Sequence, residues 1–344
     1  MGVPGLGAAA ADSEQDCVFR EVRRAFDDFT RKLRATEYLR LAPLDIKPIM
    51  NRKELGQTQI SLPEVGLGTS NYAGGVAPLR KGLELGALLI DTAESYGSEE
   101  VVGQVVKGIR DRVFIATKVS PFHFRYADLL KAADQSLRRL GVDYIDLYQL
   151  HCANYVVPMA ETLAAMEKLV EAGKVRFIGV SNFSVSQLKK AQKCVQKNRI
   201  VSNQVRYNLV DRTIEPRLLP YCQANGVTVI AYSPLARKFQ RIVDGDPRGC
   251  LARIGKSAGK TPAQISINWC LCKDRVVAIP KASSLEHVED NCGASDWRLS
   301  PEDVKTLDEN VNFRRRSHLE TMLRHYSISG FIRLVKSAVP RSGT

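Results

Sequence analysis

From residue 64 to residue 280 the chain alternates two hydrophobic patterns. Short, β-branched apolar runs fall at 64–68, 87–91, 113–118, 144–150, 175–180, 200–205, 227–232 and 276–280. Near-continuous apolarity over so few residues predicts strands buried on both faces. Longer stretches lie between them, at 76–85, 98–109, 126–139, 160–172, 185–197, 215–224 and 257–273. In these the apolar residues recur every three or four positions, as in Leu129, Leu130, Ala133, Leu137 and Leu140, which predicts helices. Strands alternating with helices imply parallel pairing through right-handed crossovers. Eight such strands close naturally into a (β/α)8 TIM barrel. A doubly wound open sheet would want a G-x-G-x-x-G turn after its first strand. Val65-Gly66-Leu67-Gly68-Thr69 has no third glycine and opens no helix, so the barrel is the expected α/β fold.

Ahead of the first strand, Lys53-Glu54-Leu55 and Gln59-Ile60-Ser61-Leu62 flank Gly56-Gln57-Thr58. This reads as a β-hairpin with a glycine-containing turn. Residues 1–49 look appended: 1–10 are rich in Gly and Ala, and Val18, Val22, Ala25, Phe26 and Phe29 have helical spacing. Arginine and amphipathicity there suit an organelle transit peptide, but the interspersed acids do not. Met50-Asn51-Arg52 would make a natural start for the hairpin and barrel. The expected division is an N-terminal extension (1–49, partly helical or disordered), a barrel (50–312) and a basic tail (313–344).

Composition narrows the class without choosing the function. The chain has 344 residues, 44% hydrophobic and 25% charged, enough for a large core. No run of eighteen apolar residues occurs, so no membrane-spanning helix is expected. The net charge is +13, and the tail holds seven Lys or Arg against one acid. Leu319, Met322, Leu323 and Tyr326 form one stripe that suits a helix lying across the barrel, while the basic charge and the run Phe331-Ile332-Arg333-Leu334-Val335-Lys336 suit weak contact with an anionic membrane; a solvated terminus is the plainer reading. No zinc-finger, RNP or helix-turn-helix signature accompanies the charge, so no nucleic-acid partner is expected. The eight cysteines form no C-x-x-C and no metal-binding spacing, and no secretory leader is evident. Reduced thiols in a cytoplasmic compartment are the expectation.

The chemistry gathers where strands end. The run Ala87-Leu88-Leu89-Ile90 ends in Asp91, and Tyr96 follows five residues later. The next strand ends in Lys118 and the one after in His151. In a barrel the C-terminal strand ends surround one mouth. Gly68, Asp91, Lys118, His151, Ser181, Gln204 and Tyr232 all fall there by this register. A phenol titrates at about 10 and is a poor acid at neutral pH unless a cation stands beside it. Asp91 is expected to fix the ammonium of Lys118, and Lys118 to stabilise the tyrosinate form of Tyr96.

Asp91, Tyr96, Lys118 and His151 resemble the catalytic tetrad of the aldo-keto reductase superfamily. Gly-Lys-Val-Arg-Phe-Ile-Gly-Val-Ser-Asn-Phe at 173–183 looks like the family's middle signature. Ser202-Asn203-Gln204, Ala231-Tyr232-Ser233-Pro234-Leu235 and Ile279-Pro280-Lys281 look like its later cofactor segments, in the family's order. A lone D-x4-Y would be a weak signal; linked motifs in order are a strong one. The resemblance implies an NADP-dependent oxidoreductase that reduces an aldehyde or ketone, with Tyr96 as proton donor, His151 orienting the carbonyl oxygen, and the hairpin plugging the barrel floor. It places Gly68, Thr69 and Asp91 on the cofactor. Ser181, Asn182 and Gln204 fall at the nicotinamide carboxamide, and Tyr232 on the ring. Ser233, Pro234 and Leu235 fall at the pyrophosphate, and Lys281, His287 and Asn291 at the adenosine end. No metal is implied.

Several positions depart from the family. Ala282 stands where a serine is usual and His287 where an arginine is usual, which weakens the hold on a 2′-phosphate and leaves NAD(H) as a second cofactor. Cys152 replaces the usual tryptophan after His151 and is expected to open the substrate mouth. The stretch 236–256 is expected to be a long loop over the pyrophosphate. The alternative function is a cofactor-binding, redox-sensing regulatory subunit with little turnover, which the basic tail favours and the intact tetrad does not. The particular carbonyl and the oligomeric state stay open.

Overall fold

The computed structural model describes residues 50–317 together with Glu320. The expected helix at 18–40, the Gly/Ala-rich start and the tail stripe beginning at Leu319 lie outside the described residues.

The hairpin is β1 (Arg52–Glu54) and β2 (Ser61–Pro63), antiparallel with Lys53 opposite Leu62. The barrel strands are β3 (Leu67–Gly68), β4 (Leu89–Asp91), β5 (Phe114–Val119), β6 (Ile145–Leu150), β7 (Val175–Ser181), β8 (Ile200–Arg206), β9 (Thr228–Tyr232) and β10 (Val276–Ile279). They pair in parallel and in sequence order from β3 to β10. The ring closes between its first and last members. Val65 bridges Ala278, Gly66 N–H donates to Ala278 O at 2.8 Å, and Gly68 N–H donates to Pro280 O at 3.0 Å. The expected strand 64–68 thus divides its bonds between two neighbours: Glu64, Gly66 and Gly68 bond along the β10 side, while Leu67 and Gly68 pair with β4.

The helices are α1 (Val76–Glu84), α2 (Glu99–Val106), α3 (Tyr126–Leu140), α4 (Met159–Glu171), α5 (Val185–Cys194), α6 (Leu218–Ala224), α7 (Gln240–Gly245), α8 (Cys250–Ala258), α9 (Pro262–Leu271), α10 (Leu285–Cys292) and α11 (Pro301–Asn310). The expected single helix at 257–273 is two. Gly259 ends α8 in a left-handed conformation (φ 63°), and Thr261 starts α9 with a capping box to Gln264 and Pro262 in the first turn. The apolar period runs on through the break and hides it. Nor is 236–256 a bare loop, for it holds α7 and most of α8. Asp246 caps α8 by accepting the backbone N–H groups of Cys250 and Leu251 at 2.9 and 2.8 Å.

Strand alternation sorts the barrel interior into layers. Leu89, Phe114, Ala116, Leu147, Val201, Ile230 and Val277 form an apolar layer, and Leu55 and Leu62 of the hairpin region pack into it. Thr228 pins the hairpin, donating its hydroxyl to Glu54 O and accepting Gly56 N–H, both at 2.7 Å. One end of the barrel is thereby filled. Two residues further along the same strands the inward positions turn polar: Asp91 follows Leu89, Lys118 follows Ala116, and Gln149 follows Leu147. Among the described residues no helix is long and apolar enough to cross a membrane.

Candidate active site

That polar layer is the floor of the site. Lys118 is fully buried, and its Nζ lies 2.6 Å from Asp91 Oδ1 and 2.7 Å from the carbonyl oxygen of Thr92. The other carboxylate oxygen of Asp91 accepts Gln204 Nε2 at 2.6 Å and Gln149 Nε2 at 3.3 Å. A carboxylate offers only acceptors, so these contacts fix which end of each amide points at it. Burial by itself lowers the pKa of Lys118; the Asp91 carboxylate and the Tyr96 phenol raise it by more. The net direction is upward, so the buried amine is held as an ammonium.

Tyr96 closes a single 3-10 turn, Glu94–Tyr96, that follows β4. The Lys118 ammonium sits 4.8 Å from the centre of its ring. His151 follows β6 and stands edge-on to the same ring, with centroids 5.6 Å apart and planes at 77°. The His151 backbone is fixed on both sides: its N–H donates to Val119 O at 3.1 Å, and its carbonyl accepts Asn182 Nδ2 at 3.2 Å. Asp91, Tyr96, Lys118 and His151 therefore come together, from three successive strands and the turns that follow them.

A cleft of about 810 Å³ opens above them. Asp91, Tyr96 and His151 line it, while Lys118 lies beneath. Gly68, Thr69, Ser181, Asn182, Gln204, Tyr232, Ser233, Pro234, Leu235, Lys281, His287 and Asn291 line the same cleft. Some of these also have a purely internal task. A Cβ on Gly68 would come 2.8 Å from Ile279 O, so barrel closure alone requires glycine there. The Thr69 hydroxyl donates to Asp91 O at 3.0 Å. Asn182 has a left-handed backbone (φ 60°); its amide donates to Ser181 Oγ at 3.0 Å and its oxygen accepts the Tyr232 hydroxyl at 3.1 Å. Ser233, Ala236 and Arg237 are also left-handed, at φ 51°, 55° and 67°. Such conformations are costly away from glycine and gather where geometry is constrained for use.

Ser70, Asn71, Arg237, Phe239, Thr261 and Asp290 also line the cleft, although no motif pointed to them. Arg237 lies two residues beyond Leu235, and Thr261 is the cap that divides the predicted helix. Cys152 does not line the cleft: it is 6% exposed and packs against Phe122 and Val156. His287 is exposed at the start of α10, and Ala282 is buried.

Fold, mouth and tetrad define a barrel oxidoreductase, and the chain belongs to the aldo/keto reductase family, whose model matches residues 64–312. Methylglyoxal reductase YeaE of Escherichia coli K12 is 40% identical over 261 residues, spanning 73% of this chain and 91% of the relative. Aldo-keto reductase YhdN of Bacillus subtilis is 31% identical over 310 residues, spanning 75% and 93%. Among solved structures, an aldo/keto reductase from Klebsiella pneumoniae in complex with NADP and acetate superposes with a TM-score of 0.71 at 38% identity, covering 78% of this chain and 98% of that one. The thermostable aldo-keto reductase Tm1743, bound to the inhibitor epalrestat, gives 0.70 at 42% identity, covering 75% and 99%.

Proposed function

We propose that this protein reduces the carbonyl of a small aldehyde or ketone to an alcohol with NADPH, and that Tyr96 is the proton donor. The observation that carries the reading is the buried Lys118 ammonium, held between the Asp91 carboxylate and the Tyr96 ring on the cleft floor. Tyr96 gives its proton to the carbonyl oxygen. Lys118 stabilises the negative charge left on the phenolic oxygen, and Asp91 keeps the ammonium in place. His151 orients the carbonyl oxygen by a hydrogen bond. A 2-oxoaldehyde is the substrate class we favour, since a methylglyoxal reductase is similar along most of its length.

The cleft residues suit a nicotinamide dinucleotide. Near the tetrad, Gln204 spends its amide N–H on Asp91 and keeps its carbonyl oxygen for a carboxamide. The Tyr232 ring is held by its hydroxyl bond to Asn182 and offers a stacking face. For phosphates the cleft offers Lys281, which donates to Ser283 Oγ at 3.3 Å, and Arg237, exposed on the left-handed loop. Bound there, NADPH supplies the hydride that no side chain carries. His287 in place of a fixed cation favours use of NADH as well.

The test is a fluorescence titration with NADPH and NADH, followed by turnover on a panel of reactive aldehydes. Tyr96→Phe is expected to lower kcat by roughly 10²–10⁴-fold and leave nucleotide binding intact. Wild-type turnover in that variant would remove Tyr96 from its role.

A further inference from the structure

We infer that Glu94 is a positioning residue for Tyr96: its carboxylate ties the turn that carries the phenol to the turns that follow Lys118 and His151. This inference rests on the reading of Tyr96 as the acid.

A 3-10 turn of three residues has little hydrogen bonding of its own. Here Tyr96 N–H donates to Ala93 O at 3.0 Å, and Gly97 then turns left-handed at φ 68°. The flanks of the turn are well held. Lys118 grips Thr92 O, the hydroxyls of Thr92 and Ser98 lie 3.0 Å apart, and Ser98 Oγ lies 2.9 Å from Thr69 Oγ1. At the turn itself Glu94 makes the tie. Its Oε1 accepts the backbone N–H of Ser120 and lies 3.0 Å from His123 Nδ1.

Ser120 and His123 bracket Pro121 and Phe122, two residues and more beyond Lys118. This second turn is anchored in its own right. Pro121 O accepts Asn154 Nδ2 at 2.8 Å, and Phe122 packs against Cys152, both of them partners in the loop after His151. A chain of contacts therefore runs from the Tyr96 turn through Glu94 to the Pro121 turn and on to the His151 loop. The Glu94 side chain is 7% exposed, so its charge-assisted bonds are little screened. Without the tie, the phenol is free to drift from the ammonium beneath it. A displacement near 1 Å at reacting groups costs on the order of a hundredfold in rate.

Glu94→Gln keeps an acceptor oxygen for Ser120 N–H, whereas Glu94→Ala keeps none; both remove the same charge. With NADPH and a reactive aldehyde, Glu94→Ala is expected to lose roughly tenfold to a hundredfold in kcat. Its NADPH Kd and aldehyde KM are expected to stay unchanged, and Glu94→Gln to recover most of the loss. His123→Leu, at an exposed position, is expected to fall between wild type and Glu94→Ala. A second readout needs no turnover. Carbon-labelled tyrosine NMR, with the signal assigned through Tyr96→Phe, is expected to show the Tyr96 phenol titrating higher in Glu94→Ala than in Glu94→Gln. Equal titration in the two variants overturns the inference, as does wild-type kcat in Glu94→Ala. So does a fall in nucleotide affinity in step with kcat. A wild type that turns over no aldehyde sinks the carbonyl-reductase reading instead, and the NMR comparison still decides on Glu94.

Discussion

The Lys118–Asp91 pair is one contact on which both the fold and the proposed chemistry depend. Two charges taken out of water are tolerated because each is met: the ammonium by Asp91 Oδ1 and Thr92 O, the carboxylate also by Gln204 and Gln149. Lys118→Met leaves the acid buried without its counter-charge. It should destabilise the fold by about 3–5 kcal/mol, read by urea unfolding, and abolish turnover. A loss under ~1 kcal/mol would mean that the pair is far better hydrated than its geometry implies. His287 makes the opposite kind of prediction. It is exposed in the first turn of α10, so His287→Arg adds a fixed cation with little effect on stability. NADPH affinity should rise relative to NADH in parallel fluorescence titrations, and an unchanged ratio would place the 2′-phosphate elsewhere.

Between residue and element, the most consequential piece is the hairpin of β1 and β2. Its strands are short, and a hairpin alone is marginal in water. Its stability comes from Leu55 and Leu62, both fully buried in the apolar layer of the barrel. Leu55→Ala should therefore cost about 2–5 kcal/mol in chemical denaturation, since the rigid strands around it cannot collapse into the void. A cost within ~0.5 kcal/mol would show that the hairpin contributes nothing to the core. Other elements were partly hidden in the chain. The strand at 64–68 reads as one run, yet closing the ring divides its partners between β4 and β10. The break between α8 and α9 was carried by Gly259, Thr261 and Pro262, a stop and a start signal within four consecutive residues. The uninterrupted apolar period across it pointed the other way.

For the molecule as a whole, eight strands deliver side chains from far apart in the chain to one cleft. Asp91 and Gln204 are 113 positions apart and share a 2.6 Å hydrogen bond. A ligand bound across the cleft should therefore stabilise the entire barrel. With NADPH at a hundred times its Kd, the expected gain is about 2.7 kcal/mol, seen as a rise in the thermal midpoint that scales with the logarithm of concentration. No shift at saturation would contradict dinucleotide binding in this cleft.

The amino-acid sequence by itself determined the alternation of strand and helix, the residue at each strand end, and the order of the motifs. These are local properties: period, length and punctuation are written in neighbouring residues. It also held the strand-end members of the candidate site, such as Asp91, Lys118, His151, Ser181 and Tyr232, because the register of each run can be counted. Only the tertiary structure decided which partners those residues use. Nothing nearby in the chain says that Gln204 and Gln149 converge on Asp91, that Arg237 joins the cleft wall, that Cys152 turns away from it, or that Glu94 reaches Ser120. Those contacts arise from ring closure and from turns packing on turns, and they join residues that the sequence keeps apart.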